Sequence, residues 1–93
     1  MTVRAKFKVD SIERSTTTAK TGEDAAGKPI YGPVETQTIK LFPVYGNDDP
    51  THENTKFWHY TPAGEIRLST INKAAGDYFE LGKEYYIDFV KAE

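Results

Sequence analysis

The sequence predicts a mainly β domain: a small five-stranded antiparallel barrel, SH3-like or OB-like, with one short helix before the last strand. Three observations predict it. Val3, Ala5, Phe7 and Val9 alternate with Arg4, Lys6, Lys8 and Asp10, the period-two pattern of a strand with one buried face. Short runs rich in β-branched and aromatic residues recur downstream, punctuated by Gly, Pro and Asn. Only one stretch, Lys73 to Phe79, sets its apolar residues at helical spacing. A chain of 93 residues is one domain with a modest core, so residues 1–93 are read as a single β-rich unit.

The first strand starts at Val3. Ile12 breaks the alternation, so the strand ends or bulges near Ser11. Ser15 to Pro33 follows, rich in Thr, Gly, Ala, Lys and Pro, with Ile30 and Tyr31 its only large apolar residues. It reads as a mobile hairpin loop, at about residues 15–33, joining two antiparallel strands. Val34 to Tyr45 is the second strand region, where Pro43 marks an edge or a bulge because it lacks an N–H. Gly46 to Asn54 is a polar loop by composition, and Lys56 to Tyr60 a short aromatic strand. Thr61-Pro62-Ala63-Gly64 is a turn. Glu65 to Ile71 is the fourth strand, with Ile66, Leu68 and Thr70 on one face. Asn72 is an N-cap for the helix over Lys73 to Phe79, which Gly76 weakens. Tyr85, Ile87 and Phe89 mark the final strand. The expected core is Val3, Phe7, Val9, Leu41, Ile66, Leu68, Phe79, Tyr85, Ile87 and Phe89. The helix lies between the fourth and fifth strands, which suits an SH3-like barrel slightly better than an OB-like one.

Composition narrows the function classes. The chain has no cysteine, so no disulfide, thiolate zinc site or cysteine nucleophile is expected. No apolar run is long enough for a membrane span, and the amino-terminal residues do not form a signal peptide. The net charge of −2 gives no bulk attraction to nucleic acid. Residues 1–45 carry +2 and residues 46–93 carry −4, a split that a folded barrel cancels.

The candidate chemistry is sparse. Asp48, Asp49, His52 and Glu53 have metal-ligand side chains, but their spacing matches neither a calcium loop nor a helical zinc pair. They read as a solvated acidic loop, and no metal or other cofactor is expected. His59 titrates near neutrality, yet no nucleophile motif accompanies it, and no catalytic residue is assigned. Arg4, Lys6 and Lys8 share the outer face of the first strand. With Arg14 and nearby aromatics they form a possible face for single-stranded nucleic acid; the alternative is lysines that keep a strand edge from aggregating. Trp58 and Tyr60 lie on the opposite strand face from Phe57 and His59, and a five-strand barrel cannot bury both faces. Trp58, Tyr60, Tyr45 and His59 are therefore the candidate binding residues. Coverage of one face by the helix and the long loop stays open as the other reading.

Several segments carry a resemblance. These are Val3-Arg4-Ala5-Lys6-Phe7-Lys8-Val9, Leu41-Phe42-Pro43-Val44-Tyr45, Asn54-Thr55-Lys56-Phe57-Trp58, Thr61-Pro62-Ala63-Gly64-Glu65-Ile66, Ile71-Asn72-Lys73-Ala74-Ala75 and Phe79 through Phe89. Together they resemble a family of small accessory proteins of tailed bacteriophages, over about two thirds of the chain by the extent of the quoted segments. The resemblance implies a phage origin and transfers no site residue. The expectation is a non-enzymatic interaction protein that binds a host or phage protein or sequesters a small ligand, in the host cytoplasm. A minor virion protein (decoration or connector) and a single-stranded nucleic-acid binder are the alternatives.

Overall fold

The alternation at the start of the chain becomes the centre of the sheet. In the computed structural model, which describes residues 3–46, 49–59 and 62–93, β1 spans Val3–Glu23 and pairs on both sides. It is antiparallel to β2, Pro29–Pro43, and to β4, Glu84–Phe89. β3, Ile66–Thr70, is antiparallel to the far side of β2, giving the order β3-β2-β1-β4. Two short helices complete the fold: α1, Glu53–Trp58, and α2, Lys73–Asp77.

Ala5, Phe7, Val9, Ile39 and Leu41 are the buried apolar core. Cross-strand pairs bring them together: Val9 faces Leu41, and Ile39 faces Ile12 and Leu68. Ile12, Trp58, Ile66, Phe79, Tyr85 and Ile87 pack around this group. Five buried apolar residues, at about 1.5–3 kcal/mol for each large one, make a small driving force, so polar connections matter here. Of the expected core, Val3, Leu68 and Phe89 are exposed, because both outer strands lie at open edges.

The mainly β, antiparallel character is as expected, but the barrel is not. The sheet is open and has four strands. Closure requires the two edges to meet, and here the edges are the two shortest strands, β3 and β4, at opposite sides of a long β1–β2 pair. The missing strand is the aromatic one. Lys56 to Trp58 lie in α1, which His52 starts by accepting the Asn54 N–H on Nδ1 at 3.1 Å. Tyr60 and Thr61 lie outside the described residues.

The second correction concerns residues 15–33, which are not a loop. β1 and β2 stay paired from Ser15 with Thr36 to Glu23 with Pro29. The threonines read as loop composition are β-branched and suit a strand. A tight hairpin closes the ribbon. The Asp24 N–H donates to the Lys28 carbonyl at 2.9 Å, and Asp24 Oδ1 accepts from the N–H groups of Ala26 and Lys28. Gly27 turns the chain at φ 78°, the left-handed conformation that favours glycine. Since β3 ends at Gln37 paired with Thr70, the ribbon beyond it stands alone as an arm. The molecule measures 60 × 32 × 18 Å, with a radius of gyration of 17.9 Å. A compact chain of this length has about 12 Å.

Two irregularities shape the arm. Register shifts fall between Val9 and Ser11 and between Lys20 and Gly22. The first is the bulge expected near Ser11; the strand continues through it. Pro43, expected at an edge, does sit where β2 has no outer neighbour, because β3 stops at Ile66 paired with Leu41.

A candidate interaction face

Two surfaces carry the residues that sequence singled out, and they differ in kind. On the face opposite the core, β1 and β4 form a charged ladder. Arg4 donates to Asp88 through Nε at 2.7 Å and through Nη2 at 3.1 Å. Lys6 Nζ lies 3.2 Å from Glu53 and 3.7 Å from Glu84. Both cations also lie over the Tyr86 ring, at 4.6 and 5.2 Å from its centroid. The hydrogen bond to Asp88, then its charge, raises the Arg4 pKa. The hydrogen bond to Glu53 raises that of Lys6. Asp88 is lowered in return, first by its hydrogen bond to Arg4. Glu53 is lowered by its own backbone N–H, and then by Lys6.

The basic first strand is therefore neutralised by its neighbours. Arg14 leaves the set altogether. The bulge after Val9 reverses parity, and Arg14 pairs with Gln37 on the core-side face, where the Asp77 carboxylate feels its charge. Lys8 remains on the outer face, across from Phe42 and Glu84.

The aromatic residues also divide. Trp58 is half-buried and packs on Phe7 at 5.9 Å and Phe57 at 4.5 Å between ring centroids. Its Nε1 donates to the Ala63 carbonyl at 2.9 Å. That arrangement is a structural anchor of α1. His59 follows as the helix C-cap, exposed, at φ 73°, with its backbone N–H donating to Thr55. Tyr60 lies outside the described residues, so the structure does not gather Trp58, Tyr60, Tyr45 and His59 into one site.

Tyr45 stands elsewhere, and there the surface is concave. Lys8, Asp10, Phe42, Pro43, Tyr45 and Leu81 are among the residues bounding an open cleft of about 690 Å³. Tyr45 is 68% exposed, Leu81 64% and Phe42 38%. The cleft exists because β4 is shorter than β1. Gly82 and Lys83 end its coverage, with Gly82 N–H donating to the Val9 carbonyl at 3.1 Å and Lys83 accepting from Val9 at 3.0 Å. Phe42 and Leu81 were not singled out from sequence; the Phe42-Pro43-Val44-Tyr45 run, apolar on both parities where a strand ends, was the available signal.

The acidic loop is tied up locally. Asp49 accepts from Thr51 N–H and hydroxyl at 2.9 and 2.7 Å, His52 caps α1, and Glu53 meets Lys6. Asp48 lies outside the described residues. Among the described residues no group of three His, Cys, Asp or Glu is placed to hold a metal, and no helix is long and apolar enough to cross a membrane. No family model, curated protein or solved structure matches the chain.

Proposed function

We propose that this chain is a non-enzymatic accessory protein of phage type that binds a protein partner through the Phe42–Tyr45–Leu81 cleft. One observation carries the reading: three large apolar side chains stay exposed around a single depression, flanked by Lys8 and Asp10. Exposed aromatic and aliphatic side chains gathered in a concavity with a charged margin match the anatomy of a binding surface. The contact residue moves from Trp58, which supports the fold, to Tyr45. The test is capture from infected host cells with the chain as bait. Tyr45→Ala and Leu81→Asp should each lose the wild-type partner while keeping the wild-type melting temperature. Capture unchanged in both variants would remove the cleft from consideration.

The projecting arm favours a second reading, a minor virion protein whose arm reaches a neighbouring subunit. Mass spectrometry of purified particles separates the two. The nucleic-acid reading has less support, since Arg4 and Lys6 are already paired with carboxylates.

A further inference from the structure

The arm has two free edges, and they are not alike. Along β2, Pro29 and Pro33 lack the N–H that a further strand would need. Pro33 faces Thr18, so this is a pair without mutual backbone hydrogen bonds, and Thr18 directs its own N–H and C=O away from β2. Ile12, Arg14, Thr16 and Lys20 share that parity, because the register is continuous from Ser11 with Lys40 to Lys20 with Tyr31. Val9 shows the same outward direction on the body side of the bulge, where Lys83 and Gly82 take up its backbone groups. Beyond Val9 no strand covers this edge, so β1 presents a regular row of outward donors and acceptors with no proline in it. A two-stranded ribbon alone is only marginally stable, so a third strand has something to gain here.

The charges along the edge select a partner. In an antiparallel pairing of β1 with β1 from a second copy, a two-fold axis at Thr16 opposes Ile12 to Lys20, Arg14 to Thr18 and Thr16 to Thr16. On the other face it opposes Glu13 to Ala19 and Ser15 to Thr17. No like charges meet, and the central pairs are Thr and Ser, which favour each other across strands. Other registers fail. An axis at Glu13 or Arg14 stacks that residue on its own mate. One at Thr17 sets Arg14 against Lys20, and one at Thr18 sets Glu13 against Glu23. An axis at Ser15 places Lys20 opposite the bulged Asp10. Only the Thr16 axis engages all five outward residues, for about ten hydrogen bonds at two per pair. Lengths agree as well. Thr16 lies midway between Val9, where β4 coverage ends, and Glu23, where β1 ends, so the second copy's hairpin tip stops short of β4.

We propose that two copies of this chain associate through the free edge of β1, antiparallel about a two-fold axis at Thr16, into a four-stranded ribbon with the two bodies at opposite ends. The inference is independent of the cleft. A chain without cysteine offers a clean test. Thr16→Cys should oxidise to a covalent dimer on a non-reducing gel, because Cα atoms of such a pair lie about 5.5 Å apart, within disulfide reach. Glu23→Cys, equally exposed, should not, since the same register separates the two sulfurs by ~45 Å at strand rise. Light scattering should give twice the 10.5 kDa chain mass for the wild type. For Thr16→Pro, which removes an outward N–H without touching the β2 ladder, it should give the single-chain mass. A wild type that stays at single-chain mass, or a Thr16→Cys that cross-links no faster than Glu23→Cys, overturns the proposal. Cross-linking does not depend on the proline variant folding.

Discussion

Asn54 is the polar residue on which the junction of sheet and helix turns, and its removal has a calculable cost. Its side chain is fully buried between β1 and β2 where the two strands part. Oδ1 accepts from the Lys6 N–H at 2.6 Å, and Nδ2 donates to the carbonyls of Lys6 and Val44, both at 2.7 Å. The amide thus replaces a rung of the ladder. In Asn54→Ala the Lys6 carbonyl keeps the Val44 N–H, which donates to it at 3.2 Å. The Lys6 N–H and the Val44 carbonyl lose their partners. At about 1–3 kcal/mol for each unsatisfied buried group, the expected loss is ~2–4 kcal/mol after some relaxation. For a domain of this size that lowers the melting temperature by roughly 10–25 °C. Thermal and urea unfolding would measure it. Asn54→Asp adds a signature. It keeps the acceptor but turns a charged oxygen toward two carbonyls, so its deficit should shrink as the pH falls and the carboxylate takes up a proton. An Asn54→Ala melting temperature within a few degrees of wild type, or an Asn54→Asp deficit that ignores pH, would refute the bridging role.

Three further outcomes are expected. Gly76→Ala should destabilise the protein although alanine is the better helix former: a Cβ there would lie 2.7 Å from the Gln37 amide, which is buried and donates to Asp77 at 3.0 Å. The same change in a Gln37→Ala background should stabilise it instead, and a double-mutant cycle of melting temperatures checks the reversal. Asp88 and Glu53 have lowered pKa values in the fold, so their contribution is complete above the unfolded carboxylate range of about 3.9–4.3 and fades as the pH drops through their folded values. Asp88→Asn with Glu53→Gln should flatten the acid limb of a stability–pH curve and leave its course above that range unaltered. Trp58→Ala should cost about 3 kcal/mol, the low end for a large aromatic that is only half-buried, whereas Tyr45→Ala should stay within about 0.5 kcal/mol of wild type in urea unfolding.

The strands that follow a strict alternation were legible: the start of β1, β3, and β4, along with the bulge near Ser11 and the Asn72 cap, whose Oδ1 accepts from Ala74 and Ala75. What failed was the reading of segments where composition and periodicity disagree. Phe57 and Trp58 are strand-favouring residues in a helix of six, and the helix survives because Trp58 packs on Phe7 and Asn54 bridges the sheet. These are long-range contacts with no local trace. The arm failed for the opposite reason. Its threonines were strand formers, and Asp24 with Gly27 marked a three-residue hairpin, but without apolar residues the alternation had nothing to display. Among the binding candidates, Tyr45 keeps its place through exposure, and Trp58 loses it through packing. Arg14 parted from Arg4, Lys6 and Lys8 because the bulge reversed the parity between them.

That bulge also sets a rule for changing the arm. The extra residue after Val9 decides which side chains of the whole ribbon point toward the helices and which point away. Deleting Asp10 would turn Ile12, Arg14 and every later residue of β1 over at once, while the body upstream stayed as it is. The arm therefore has a reading frame. It can be lengthened or shortened by two residues on each strand with every face preserved, since two is the period of a strand. A change of one residue on β1 alone would invert it. A designer grafting this ribbon onto another sheet would have to carry Asp10 along with it.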